Sequence, residues 1–279
     1  MWHGSRQSGC RLYFNQNRER VRINRQPGSP GAGAKASGRT SPDRLPELMD
    51  APDCDRQELA DALVTLGRVN RYLGGGRMIR RQVSRLLAGR SPGPVRILDV
   101  GAGGGDVATD LLGPLGRAGW APSFVLADCH ESTLELCREN VRRAVGQSFA
   151  ERFSYVRLDG VSLPFPDGSF DVAFCTTTLH HLQDDDAREL LGELARVSRI
   201  GWTITDLRRS KTSYALMRAL SATVWRGRRM PRADAPVSVL RSFTPVEARR
   251  LALSALAAGP PGPVLERSPL RWALRGTSA

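Results

Sequence analysis

Lysine is almost missing from this chain: Lys35 and Lys211 are the only two among 41 basic residues. The net charge of +13 therefore belongs to an arginine-heavy, Ala/Gly/Pro-rich composition of the kind a GC-rich genome encodes. That reading stands ahead of a polyanion-binding surface, so nucleic acid is not expected as a partner. Paired cysteines are missing as well. Five are present, an odd number, with no CxxC spacing and no match to the four histidines, which excludes a disulfide framework and leaves no metal assigned. No apolar run reaches the roughly 18 to 20 residues of a membrane span, and the N-terminus has no secretory apolar core. A cytoplasmic protein with reduced thiols is expected.

A chain of 279 residues is long enough for one large domain and an accessory segment. Residues 1–48 are rich in Arg, Gly, Ser, Asn and Gln and show no apolar period, so they read as a disordered extension. Such a leader is equally compatible with a transit peptide or with a start codon assigned too far upstream, since Met49 lies just ahead of the first helix signal. From Asp55, with Glu58 three residues on, Leu59, Leu63, Leu66, Val69 and Leu73 recur at helical spacing up to Gly74-Gly75-Gly76. A second helix over Met78 to Leu87 completes a helical cap, residues 49–93.

The rest, residues 94–279, alternates short apolar runs with helical stretches, the pattern of βαβ units. Strands are expected at 96–100, 124–128, 153–158, 171–175 and 202–207, with two short ones at 264–267 and 270–274 joined through Ser268-Pro269. The fold class is α/β: a Rossmann-like doubly wound sheet, mostly parallel, closed by an antiparallel C-terminal strand. Ala187, Leu190, Leu191, Leu194 and Val197 form one helix face behind Asp184 to Asp186, and Thr244-Pro245 with Glu247 caps a late helix. Residues 208–243 read as a lid insertion, with Tyr214, Met217, Leu220 and Val224 on one side of its helix.

The chemistry is concentrated in Ile97-Leu98-Asp99-Val100-Gly101-Ala102-Gly103-Gly104-Gly105-Asp106, a strand running through a glycine turn into a helix. Bare backbone there lets N–H groups approach a ligand, and the helix start favours its negative end. Asp99 before the loop suits an ammonium group. Asp128 at the next strand end can accept both hydroxyls of a ribose, and Asp159-Gly160 follows the third strand. Three acids at successive strand ends fit an adenosine carrying a cationic amino acid.

These motifs, with LDGVSLPFPDGSFDVAFCTTTLHHL from Leu158 onward, resemble class I S-adenosylmethionine-dependent methyltransferases. The likeness is to the small-molecule group that includes ubiquinone and menaquinone biosynthesis methyltransferases, and it covers nearly all of residues 94–207. The resemblance implies S-adenosyl-L-methionine as cofactor, held by Asp99, Gly101, Ala102, Gly103, Gly105, Asp128, Cys129, Asp159, Gly160 and Thr176. It implies methyl transfer to oxygen or carbon of a small aromatic or polyketide-like acceptor. The segments around Arg71-Tyr72 and Asp206-Leu207-Arg208-Arg209-Ser210 further resemble a bacterial subgroup associated with type III polyketide synthases. His180 and His181, just past the fourth strand, are the candidate general bases, with Asp206 as an alternative; packing against Leu182 is the other reading of the histidines. Arg71 and Tyr72 could close over the cofactor from the helical cap, the other reading being that they pin a helix to the surface. Cys175 lacks the Pro-Cys context of a pyrimidine-methylating nucleophile and reads as core. RNA or protein methylation and a non-catalytic binding module are the competing functions.

Overall fold

Each sheet strand carries apolar side chains on both faces, which commits the sheet to being covered on both sides. The computed structural model describes residues 38–51, 54–158, 161–256 and 262–278. Its seven strands are β1 (Pro94–Val100), β2 (Ala121–Asp128), β3 (Phe153–Arg157), β4 (Phe170–Thr176), β5 (Ser198–Leu207), β6 (Val264–Arg267) and β7 (Arg271–Thr277). They are ordered β3-β2-β1-β4-β5-β7-β6, parallel except that β7 runs antiparallel to both β5 and β6. The order reverses between β1 and β4, and a doubly wound sheet opens its ligand crevice at the carboxyl ends beside such a reversal.

Ile97, Phe124, Leu126, Val172 and Phe174 face one layer, formed by α2 (Gly75–Leu87), α3 (Asp106–Arg117) and α4 (Glu131–Val145). Leu98, Val125, Ala173 and Cys175 face the other, formed by α6 (Asp184–Val197) and α9 (Pro245–Ala255), with the four-residue α5 (Gln147–Ala150) leading into β3. The helix face from Ala187 to Val197 is buried as read, and Thr244 and Glu247 make a complete capping box. Cys175 is a core residue. None of the four described cysteines forms a disulfide, and no described helix is long and apolar enough to cross a membrane.

Three expectations need correction. The helix α2 does not stop at the edge of the domain: Ile79, Val83 and Leu86 pack into the sheet core, so residue 93 is no packing boundary. Residues 38–48 lie against the protein, although a polar segment without apolar period read as disordered. The arginine-rich part of the lid is a second helix, α8 (Arg229–Arg241), which pairs with α7 (Lys211–Ala222); Trp225 packs between them, while Val224 is 67% exposed.

Strand β5 begins four residues before its apolar run because α6 passes directly into it and Gly201 lets β7 come close. A Cβ at Gly201 would overlap the Gly276 carbonyl oxygen and reach Leu86 at 2.7 Å. Gly201→Ala should therefore destabilise the fold by about 2 kcal/mol, as overpacking against backbone does, read as a lower urea midpoint.

Candidate active site

The chain leaves β1 at Val100, turns through Gly101 to Gly105 and enters α3, with positive φ at Gly101, Gly103 and Gly105 (71°, 52° and 73°). The N–H groups of Gly101 and Ala102 both donate to the Ala127 carbonyl, at 2.8 and 3.0 Å, fastening the loop to β2. Gly103 N–H donates to Asp128 Oδ2 at 3.0 Å, and His130 N–H to Oδ1 at 3.2 Å. Asp128 is thus positioned by the loop it faces, and each carboxylate oxygen keeps a lone pair for a ribose hydroxyl. A side chain at Gly101 would overlap Thr178, so this position is closed to larger residues on both conformational and steric grounds.

Around this turn opens a cleft whose empty space, open solvent included, is about 1240 Å³. Asp99, Gly101, Ala102, Gly103, Asp128, Cys129 and Thr176 all line it. Gly105 does not: it stands behind the loop, where a Cβ would press on Cys137 Sγ and Val141 at 2.9 Å, so its work is packing α3 against α4. Asp159 and Gly160 lie outside the described residues, although their neighbours Leu158 and Val161 reach the cleft. Thr176 Oγ1 is buried there without a protein partner, as a group awaiting a ligand would be.

Burial raises the pKa of Asp99 well above the usual carboxylate range, with the nearby charges of Asp106 and Asp128 adding to it; burial raises Asp128 too. A cationic ligand reverses this, because its charge favours the ionised carboxylates. Groups with raised pKa in the free protein hold protons that a cation expels. Binding of the cofactor that the resemblance implies, which carries a sulfonium and an ammonium group, should release protons, and affinity should weaken as pH falls through the raised titration range. Calorimetry in buffers of different ionisation enthalpy checks this; an identical apparent enthalpy in all buffers would contradict it.

At the far side of the cleft, Thr178 leads into a single helical turn carrying Leu179, His180 and His181. His180 is 1% exposed; its Nδ1 meets Asp206 Oδ1 at 2.8 Å and its N–H donates to Asp206 Oδ2 at 3.0 Å. This pairing fixes the tautomer with the proton on Nδ1 and the lone pair on Nε2. Burial lowers the His180 pKa to about 4, against the pull of Asp206, so the ring is neutral. His181 behaves oppositely: burial would lower it, but Asp50 and Glu47 outweigh that and lift it to about 9. Its Nδ1 lies 3.0 Å from Asp50. Burial also raises Glu47 to about 7, whereas Asp50, held by His181 and Arg241 against its own burial, sits at about 2.

Glu47 comes from the end of the segment read as disordered, and Asp50 from the start of the helical cap. Arg39 anchors the first of these, donating to Asp184 at 2.8 Å and to the Arg241 and Leu182 carbonyls, with its guanidinium 4.1 Å above the Phe243 ring. Leu48 and Met49 N–H donate to the Asp234 carboxylate of α8. Fully buried Arg241 closes the arrangement, with Nη1 3.1 Å from Glu47 and 3.2 Å from Asp50.

Arg71 and Tyr72 do not reach the cleft. Arg71 pairs with Asp110 on the surface and Tyr72 is 72% exposed. Their neighbour Asn70, on α1 (Arg56–Tyr72), lines it instead, donating to Asp106 at 3.2 Å and accepting from buried Arg271 at 3.0 Å. Arg271 also donates to Thr177, whose φ of 55° is the one positive value at a described non-glycine residue. The arginines of the Asp206 to Ser210 segment are structural: Arg209 grips both oxygens of Glu247.

The strand order, the reversal at β1/β4, the glycine turn and the acid at the end of β2 together define a class I methyltransferase fold. Residues 97–201 match the methyltransferase domain family. The ubiquinone/menaquinone biosynthesis C-methyltransferase of Shewanella sp. (strain ANA-3) is 32% identical over 132 residues, 47% of this chain and 49% of the relative. The corresponding enzyme of Shewanella halifaxensis is 30% identical over 131 residues. The chain spans about half the length of the curated relatives it matches. Among solved structures, human N-acetylserotonin methyltransferase in complex with SAM is similar at a TM-score of 0.57 and 15% identity, covering 84% of this chain and 59% of that one. The CurJ carbon methyltransferase is similar at 0.51 and 12%, covering 73% and 54%; both likenesses show the fold alone. Residues 97–201 thus match the methyltransferase domain family and the chain has the fold of its class I members, a likeness that implies S-adenosyl-L-methionine as the cofactor. The glycine cradle, the two carboxylates and the unpartnered Thr176 hydroxyl fit that cofactor.

Proposed function

We infer that the protein transfers the methyl group of S-adenosylmethionine to an oxygen, or an activated carbon, of a small acceptor with an apolar body. The observation that carries this reading is a second, apolar pocket that adjoins the proposed cofactor cleft through shared lining residues. Met49, Leu66, Leu207, Met217 and Trp225 line it, and it shares Glu47, Met49, Leu66, Thr177 and Ser238 with the cleft. An aromatic or polyketide-like molecule bound there would present its polar end at the junction, beside His180.

The residues supply position and a proton acceptor. The sulfonium already makes the methyl group electrophilic, so holding the acceptor in line contributes most, on the order of 7 to 11 kcal/mol. Asp99 would hold the cofactor's ammonium and Asp128 its ribose. His180 Nε2 would take the acceptor's proton as the methyl–sulfur bond breaks and the new bond to the acceptor forms, leaving S-adenosylhomocysteine. Glu47 Oε1, 3.6 Å from His180 Nε2, stands where the acceptor hydroxyl would approach, so the segment bearing it has to yield as acceptor enters.

Nucleic-acid or protein methylation is less well supported. Arg39, Arg241 and Arg271 are consumed inside the protein, and the fourth strand leads into Thr176-Thr177-Thr178 rather than an amino-methylating Pro-Pro-Tyr run. The test is S-adenosylhomocysteine formation with phenols bearing progressively longer alkyl chains. Turnover should rise with chain length, mainly through KM; turnover on RNA or protein but on none of the phenols would overturn the reading.

A further inference from the structure

The two histidines are oriented alike, although each is held by a different element. His180 turns its Nδ1 to Asp206 on β5 at 2.8 Å, and His181 turns its Nδ1 to Asp50 of the N-terminal segment at 3.0 Å. Both Nε2 atoms are thereby directed at one buried carboxylate. His180 Nε2 lies 3.6 Å from Glu47 Oε1 and His181 Nε2 4.0 Å from Glu47 Oε2, the two rings being 4.3 Å apart between centroids. One ligand atom from each of the three residues falls within 4.8 Å of the other two.

We propose that Glu47, His180 and His181 form a binding site for a divalent transition-metal cation of borderline softness, represented by zinc, with its open position toward the acceptor pocket. Two imidazole nitrogens, one carboxylate and a fourth exchangeable position are what a catalytic zinc takes. Bonds of about 2.0 to 2.1 Å in tetrahedral geometry set the ligand atoms about 3.4 Å apart, so spacings that reach up to 4.8 Å here have to contract as the cation binds. The surrounding hydrogen bonds match as well: metal-bound histidines characteristically give their other nitrogen to a carboxylate, and ligating carboxylates are themselves hydrogen-bonded. Asp206 and Asp50 fill the first role; Glu47 Oε1 has no hydrogen-bond partner among the described residues, Arg241 standing 3.1 Å from it as an ion pair. The guanidinium opposes a second cation nearby. Glu47, Asp50 and Asp206 place three carboxylates around the site against Arg241 and against Arg39, which donates to the His180 carbonyl at 3.5 Å.

This inference deepens the acceptor reading, resting on it only for the chemical consequence. A phenol or enol oxygen taken as fourth ligand would lose its proton to water through the cation's charge, and His180 Nε2, occupied by the metal, would not act as base on that molecule. The assignment of the metal site itself needs no acceptor.

The test is titration of the chelator-treated full-length protein with zinc against a chromophoric chelator, and with cobalt(II) followed by its visible spectrum. One equivalent should bind, with the intense bands of tetrahedral cobalt. Affinity should fall at least 100-fold in Glu47→Gln and in His181→Ala, each confirmed as folded by circular dichroism and by retained S-adenosylhomocysteine binding. Cys129→Ser should keep the site, because Asp128, Cys129 and His130 belong to the cofactor cleft. Absence of stoichiometric binding in the wild type overturns the proposal, as does binding undiminished in both folded variants. Since the readout is metal affinity, inactivity toward every acceptor would count against the acceptor reading alone.

Discussion

Replacing Asp128 by alanine is expected to weaken S-adenosylmethionine binding about 100-fold or more while leaving the protein folded. In the free protein this carboxylate accepts the N–H groups of Gly103 and His130, so it both shapes the glycine turn and faces the ribose position. Hydrogen bonds to a charged group contribute roughly 1.5 to 3 kcal/mol each, and two ribose hydroxyls on one carboxylate make the loss large. Asp128→Asn should fall between, since an amide oxygen still accepts one hydroxyl. Removing a buried carboxylate whose pKa burial has raised relieves desolvation, so unfolding should move little, if at all, toward lower denaturant. Equal cofactor affinity in wild type and Asp128→Ala would show that ribose is held elsewhere.

The second large effect is expected on turnover. His180→Ala should lower kcat by roughly 10²- to 10³-fold with cofactor affinity unchanged, the usual contribution of a positioned proton acceptor. Asp206→Asn should lower kcat by a comparable factor with the imidazole still in place, because an amide can stabilise the wrong tautomer of His180. If a cation occupies the site, the same two substitutions remove a ligand or its support, so the direction does not depend on metal loading. Single-turnover mixing of enzyme, cofactor and acceptor separates this chemical step from binding. A lower affinity with unchanged rate would reduce His180 to a packing residue.

The cofactor half of the site was legible because it is local. Strand, glycine turn, helix start and next acid all fall between Ile97 and Asp128, and the β-strand ends dictate where those side chains emerge. Gly105 was misplaced within that run for a local reason too: the spacing that puts a glycine in a ligand loop also serves close helix packing, and only Cys137 and Val141 behind it decide. The acceptor half was not legible. Glu47 and Asp50 sit 133 and 156 residues before His180 and Asp206, the first at the end of a polar segment with no period and the second just ahead of the first helix signal. Arg241 and Arg271 carry no signal in a chain with so many arginines, yet both are buried among acceptors distant in sequence: Glu47, Asp50 and the His180 carbonyl for Arg241, Asn70 and Thr177 for Arg271. His180 and His181 are candidates by position alone, and their opposite charge states depend on which carboxylate each meets.

The central claim, that the cleft at the ends of β1, β2 and β4 holds S-adenosylmethionine, is tested most directly by calorimetry of S-adenosylhomocysteine binding to the full-length protein. One site per chain with micromolar affinity, lost in Asp128→Ala, is the predicted result. No binding to a folded wild-type protein would contradict the account.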